Sequence, residues 1–376
     1  MPSIYRKLQR HLDKQAVGYP ATKDGSDIRL LKEHFSPEHA EMALNMSFRF
    51  QTADEIIASM KKTNLSRVEV VTLLDSMAEA NCIYRRKRNG LHIYAIPPLV
   101  VGLYELKAGN VTPSYLKLID EYTDSDPFML SLVATKHSQM RTIPVEKAIT
   151  PTHPIATYDN VNALVDENEG PFLLVNCICR EKHDLQGEHC EKTDRRELCL
   201  GMGEFASQML DQGLGREVSK EEAMELLRQN QEDGLVLQPG GNQDADFICS
   251  CCGCCCGMLR MQKRLPHPAD FWTHDFHAEV NMDLCIGCGI CEKKCNVNAI
   301  KVKDKKAIVN LTRCIGCGIC VASCNQEAIE LVPVEDPKEI PKTYDDFYES
   351  IYKHKKGPIR RLLMGLKMRK GKRWHS

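Results

Sequence analysis

The chain has 376 residues, 43% of them hydrophobic and 27% charged, with 50 Lys plus Arg against 51 Asp plus Glu. That balance describes a globular protein of two or three domains and excludes collagen, coiled coil and wholesale disorder. The longest apolar stretch, Tyr94 to Leu106, falls short of the roughly 18 residues a membrane span needs and is broken by Pro97 and Pro98. The opening residues, MPSIYRKLQRHLDK, lack the apolar core of a secretory signal, so a cytoplasmic, reducing location is expected.

Helix signals come first along the chain. Ser36 precedes Pro37 as N-cap and first helical residue, and Thr52 with Glu55 and Ser66 with Glu69 stand at capping-box spacing. Three helices are expected to start near 37, 52 and 66. Cys82, Ile83 and Tyr84 then face Leu91, His92, Ile93 and Tyr94 across a basic turn ending in Asn89 and Gly90, a hairpin signal. Helix, helix, helix, hairpin resembles a winged helix, and residues 1–106 are read as that domain. Residues 107–152 carry Pro113, Pro127, Pro144 and Pro151 without a sustained period and read as helix pieces and connector.

Residues 153–265 form a cysteine-rich unit. A strand-like run, Phe172, Leu173, Leu174 and Val175, delivers Cys177 and Cys179; a helix starts at Ser219, with Glu222 closing its box, and ends at Gly234. Residues 266–335 contain a repeat: CIGCGICEKKCNVNAI from Cys285 returns as CIGCGICVASCNQEAI from Cys314, 29 residues on. The tail, 336–376, turns basic: from Lys353 onward there are ten Lys or Arg and no acid, leaving 40 minus 51, or minus 11, for residues 1–352. The fold class expected is α+β and multidomain.

Of the 19 cysteines, Cys82 stands alone and 18 lie between Cys177 and Cys324. In a reducing compartment that abundance points to metal rather than disulfides. Each half of the repeat reads C-x2-C-x2-C-x3-C, a spacing whose two-residue gaps curl the backbone so that three thiolates converge while the fourth, expected to start a helix, points away. Paired zinc knuckles would instead draw four ligands from separated C-x2-C pairs. Gly287, Gly289, Gly316 and Gly318 let the loop pass close to sulfur.

The repeat resembles bacterial two-cluster ferredoxins over about Ala278 to Val332. The resemblance implies two [4Fe-4S] clusters, one on Cys285, Cys288, Cys291 and Cys324, the other on Cys314, Cys317, Cys320 and Cys295. Asn296 and Asn325 stand where that family usually has Pro. Each is expected to bring a side-chain amide near a cluster and make it less reducing.

Ten cysteines remain: Cys177, Cys179, Cys190, Cys199, Cys249, Cys251, Cys252, Cys254, Cys255 and Cys256. Adjacent residues do not readily aim at one small point, so these serve more than one centre: one or two further Fe-S clusters, structural zinc, or redox-active thiols. Arg180 either donates to a cluster sulfur or pairs with Glu181 at the surface. With CICR at Cys177, CCGCCC at Cys251 and the terminal repeat, the chain resembles cytoplasmic 4Fe-4S binding proteins of anaerobic bacteria, which implies architecture and redox character but no substrate.

Weaker signals are read blandly. Gly201, Met202, Gly203 and Ala206 fit G-x-G-x-x-A, but no clear strand of a βαβ unit precedes them. His267, His274 and His277 are expected to be solvated or packed. The third helix carries Arg67 against Glu69, Asp75 and Glu79, a poor match to phosphates, although Arg85, Arg86, Lys87 and Arg88 of the hairpin could reach a DNA backbone. Leu362, Leu363, Leu366 and Met368 give the tail an apolar side for anionic lipid or an acidic partner, with Gly357 and Gly365 weakening it as a helix. The expected function is single-electron transfer between redox protein partners, with no catalysis required of this chain. The alternatives are a redox-responsive DNA-binding regulator and an electron-transfer subunit of a larger oxidoreductase.

Overall fold

A computed structural model describes residues 2–60, 64–149 and 155–372. The helix starts fall where the capping residues put them. Ser36, Thr52 and Ser66 accept the N–H groups of His39, Glu55 and Glu69, and the helices run Pro37–Ala43, Ala53–Ser59 and Arg67–Glu79, the last two with complete capping boxes. The hairpin pairs Tyr84–Arg88 with Leu91–Ala95, turning through Asn89 and Gly90, both at positive φ. A short strand, Gln51–Thr52, adds to its far side, giving a three-stranded antiparallel sheet. Two helices absent from the sequence reading, Ile4–Leu12 and Ser26–His34, precede these and bury Leu8, Leu12, Leu30 and Leu31. Cys82 is buried, and its thiol donates to the His34 carbonyl.

The basic residues of the hairpin divide: Arg85 and Arg86 turn inward, while Lys87 and Arg88 at its tip are exposed. Arg86 is buried, paired with Asp246 at 2.8 Å, and lies over the Phe50 and Tyr344 rings. Arg85 pairs with Asp75, and Arg88 with Glu204 and Asp345. Three of the four basic residues therefore pair with acids, several of them on the central unit and the C-terminal helix. In the connector, Thr112 and Ser125 cap helices Pro113–Thr123 and Asp126–Val133, each with proline in its first turn. The boundary expected at 152 lies outside the described residues, as do the last four residues of the tail.

The central unit is a five-stranded antiparallel sheet. In spatial order its strands are Arg216–Val218, Phe172–Asn176, Glu197–Met202, Phe247–Cys251 and Val236–Pro239. Helix Lys220–Glu232, capped by Ser219, lays Ala223, Leu226 and Leu227 against the sheet, and Gly234 follows it at positive φ. A strand does precede Gly203, contrary to the sequence reading. It pairs antiparallel with both neighbours, so no βαβ unit forms there.

In the repeat unit the 29-residue offset becomes a pairing rule. Strands Phe276–Val280 and Lys306–Val309 are repeat equivalents, as are Ile300–Lys303 and Ile329–Pro333. Ile300–Lys303 pairs with Lys306–Val309, and the chain's last strand returns to Phe276–Val280, so each half closes the other.

The tail is helical and packed. Helix Tyr344–His354 buries Phe347, Tyr348 and Ile351, while helix Pro358–Arg369 buries Met364 and Met368 and lies along Asp126–Val133. Gly365 helps rather than weakens it: a Cβ there would sit 3.1 Å from Leu130. Ile359, Leu362, Leu363 and Leu366 stay exposed. Among the described residues no helix is long and apolar enough to cross a membrane.

Candidate metal centres

The two halves of the repeat bring their thiols together crosswise. Cys324 shares one small pocket with Cys285, Cys288 and Cys291. Cys295 lies within electrostatic reach of Cys314, Cys317 and Cys320. Backbone amides support the sulfurs in pairs 29 residues apart. Ala278 and Ala307 donate to Cys314 and Cys285, both at 3.4 Å, while Ala299 and Ala328 donate to Cys295 and Cys324 at 3.2 and 3.4 Å. Amides aimed at sulfur favour thiolate, the ligand form iron requires, so the donor set fits iron-sulfur ligation. The loop glycines are sterically required. A Cβ on Gly287 would meet the Lys305 carbonyl oxygen at 2.3 Å and one on Gly316 the Phe276 oxygen at 2.2 Å, and both residues have positive φ.

Two expectations about this unit are corrected. Cys295 and Cys324 follow helices Ile290–Lys294 and Ile319–Ala322 rather than starting them. The Asn296 side chain does not turn to sulfur: it is buried, accepts from the Gly253 N–H at 2.9 Å and donates to the Gly234 carbonyl at 3.0 Å. It ties the repeat to the central unit. Asn325 is exposed. Burial pushes the Cys317 thiol up to about 12, so loading this quartet must displace a proton.

The ten central cysteines sort by strand geometry. Side chains alternate across a sheet, so Cys249 and Cys251 share one face, and Cys199 lies directly opposite Cys249 in register. Cys177 leaves the neighbouring strand as N-cap of helix Ile178–Leu185, on which Cys179 sits, and Cys256 is the N-cap of helix Gly257–Arg264. The thiols lie within electrostatic reach of one another in a closed sequence, Cys177, Cys179, Cys256, Cys251, Cys249 and Cys199. The neighbouring Cys249 and Cys256 thiols draw the Cys251 thiol down to about 6. All six line a cavity of about 780 Å³, whose other walls include Tyr84, Tyr104, Phe205 and Glu105. Glu105 keeps a little accessible surface, but that surface opens onto this cavity, and burial pushes its carboxyl up to about 7.

Beyond Cys251 the chain turns sharply at Gly253, where a Cβ would lie 2.2 Å from the Asn296 oxygen. The turn separates Cys252, Cys254 and Cys255 from the ring and gathers them with Cys190. Among the described residues, these four are the set of His, Cys, Asp or Glu ligand atoms found to lie mutually within 4.8 Å. Adjacent Cys254 and Cys255 thus do aim at one point, their sulfurs 3.7 Å apart, which the sequence reading had judged difficult.

Arg180 joins the two groups. It is buried, not at the surface, and its guanidinium donates to Cys177 Sγ at 3.2 Å, Cys252 Sγ at 3.3 Å and Cys190 Sγ at 3.4 Å, and to the Ser250 carbonyl at 3.1 Å. Glu181 turns instead to Gly109 N–H and the Asn176 amide. The three histidines pair outside the cysteine groups: His274 meets the Phe276 carbonyl, His277 meets Glu279 and His267 the Gly371 carbonyl.

No curated protein and no solved structure matches the chain. Residues 284–329 match the family model described as a 4Fe-4S dicluster domain. Together with the cysteine groups described above, that match marks the chain as an iron-sulfur protein.

Proposed function

We propose that this chain transfers single electrons between redox partners. Cys285, Cys288, Cys291 and Cys324 would hold one [4Fe-4S] cluster, and Cys314, Cys317, Cys320 and Cys295 a second. A third iron-sulfur centre would sit on the six-thiol ring. Bound clusters supply one-electron capacity; the protein supplies thiolates, sulfur-directed amides and exclusion of water. The observation that carries the reading is the crosswise closure of the repeat, with its four amide-to-sulfur bonds repeating at 29 residues.

Placement supports a direction. The first quartet faces out: Cys288 is exposed, and Met282, Leu284 and Ile286 around it are exposed too. Lys293, Lys294 and Lys305 are exposed on the same unit, beside exposed Asp283 and Asp304. An apolar patch on a unit carrying exposed lysines suits an acidic redox protein. The second quartet faces inward, since Cys295 adjoins Asn296, which holds the CCGCCC turn. Electrons would arrive at the exposed quartet and end at the ring beside the cavity. Stopped-flow mixing of the loaded chain with a reduced acidic ferredoxin-type donor tests this: rapid, salt-sensitive reduction is expected, and failure to reduce at low salt overturns it.

The alternative, a redox-responsive DNA-binding regulator, draws on the resemblance of the N-terminal order of helix, strand, helix, helix, hairpin to a winged helix. The internal pairing of Arg85, Arg86 and Arg88 favours protein docking for this unit. A DNA fragment shifted differently by oxidised and reduced chain would favour the regulator. The tail's exposed Ile359, Leu362, Leu363 and Leu366 among basic residues support peripheral contact with anionic lipid, or with a catalytic subunit if the chain works within a larger oxidoreductase.

A further inference from the structure

We infer that Cys190, Cys252, Cys254 and Cys255 form a closed single-ion site, distinct from any cluster, and that its occupant is zinc. The inference rests on the spacing of the sulfurs. Cys190 stands 3.7 Å from Cys252 and 3.9 Å from Cys254, Cys252 is 3.2 Å from Cys254, and Cys254 is 3.7 Å from Cys255. Four thiolates about 2.3 Å from one tetrahedral ion lie about 3.8 Å from one another by simple geometry. A four-iron cube places each thiolate on a different corner iron, and its ligands spread wider than those sharing one ion. Four of the quartet's six sulfur pairs span 3.2–3.9 Å and all six lie within 4.8 Å, which suits the small tetrahedron rather than the cube.

The surroundings fit that occupant. A divalent ion with four thiolates carries a net charge of minus two, which needs compensation in a site this buried. Arg180 supplies a fixed positive charge through its bonds to Cys190 and Cys252. The quartet draws three ligands from one turn and the fourth, Cys190, from the segment after helix Ile178–Leu185. An ion there would clamp that segment to the turn after strand Phe247–Cys251. Zinc, with no redox chemistry, suits a clamp with four protein ligands and no open position. The clamp would set the position of Arg180 and, through its bond to Cys177, one corner of the six-thiol ring.

This inference deepens the proposed function but can fail independently of it. The test is metal analysis of the full chain isolated without oxygen, beside the double variant Cys190→Ser/Cys254→Ser. One zinc per parent chain is expected, lost in the variant while the iron and acid-labile sulfide of the repeat stay unchanged. Loss of about four irons with their sulfide, and no zinc in either protein, would overturn the single-ion site. One mononuclear iron with a tetrathiolate spectrum in place of zinc would uphold the site with a different ion. If the variant does not fold, zinc-edge X-ray absorption of the parent decides: four sulfurs at about 2.3 Å are expected, and nitrogen or oxygen ligands would overturn the assignment. Absence of iron from the repeat, with the zinc present, would refute the electron-transfer reading alone.

Discussion

Arg180 offers the sharpest perturbation, because one side chain serves both central sulfur groups. Replacing it with Gln keeps a donor and much of the stem but removes the charge and the fork that reaches Cys190 and Cys252 together. Both bonds, at 3.4 and 3.3 Å, run from a cation to sulfurs that must be thiolate to bind metal. Hydrogen bonds to charged groups contribute about 1.5–3 kcal/mol each, and the lower figure suits sulfur at these distances, giving about 3 kcal/mol for the pair. At about 1.4 kcal/mol per tenfold, that is about 100-fold in affinity. The value agrees with the roughly 10- to 100-fold losses typical when groups that orient metal ligands are removed. The assay is anaerobic titration of the loaded chain with a competing chelator, following metal retained per chain, with circular dichroism confirming the fold. Arg180→Gln should release the Cys190 quartet's metal at about 100-fold lower chelator activity. Arg180→Lys, a point charge that serves fewer sulfurs at once, should fall between. Retention within twofold of the parent would refute the idea that Arg180 compensates the quartet's charge.

Three further outcomes follow from the same geometry. Arg86→Met strands Asp246 and should cost about 3–5 kcal/mol in chemical denaturation, the usual penalty for breaking a buried pair from one side; a surface-like loss below about 1 kcal/mol would show that the hairpin is not held by it. Asn296→Ala leaves the Gly253 N–H without its acceptor, so about 1–3 kcal/mol of local stability should be lost and the Gly253 amide should exchange faster; unchanged protection would contradict the tie between repeat and central unit. Glu105 has a folded value raised to about 7 from an ordinary 4.5, so the native chain holds its proton more tightly than the unfolded one. Its contribution is full below about 4.5 and lost as pH rises through about 7, up to about 3 kcal/mol in all. Glu105→Gln should therefore flatten the stability profile in that window, and an unchanged slope would place its titration elsewhere.

Legibility in the sequence followed the range of the forces involved. Local rules were enough for the caps at Ser36, Thr52, Ser66 and Ser219, because a hydroxyl and an amide three residues apart settle a helix start without outside help. The repeat was equally legible, since its spacing is itself the ligand geometry. What stayed hidden depended on partners far along the chain. Arg180 reads as either a sulfur donor or a surface partner of Glu181 until Cys252, 72 residues on, comes beside it. Asn296 reads as a cluster neighbour until Gly253 and Gly234 take both ends of its amide. The partition of the six crowded cysteines was partly within reach: with a strand assigned through Cys251, alternation puts Cys249 and Cys251 on one face and Cys252 on the other, but the return of Cys256 to the ring after the Gly253 turn depends on the helix it caps. Helices Ile4–Leu12 and Ser26–His34 were missed because their buried faces are short, and their partners lie outside their own sequence.

The most direct test of the account is iron, sulfide and zinc analysis, joined to electron paramagnetic resonance of the reduced chain prepared without oxygen. About twelve irons with matching sulfide are expected, eight on the repeat and four on the ring, with one zinc and the spin-coupled signals of neighbouring reduced clusters. A colourless chain holding zinc but no iron, and silent on reduction, would contradict it.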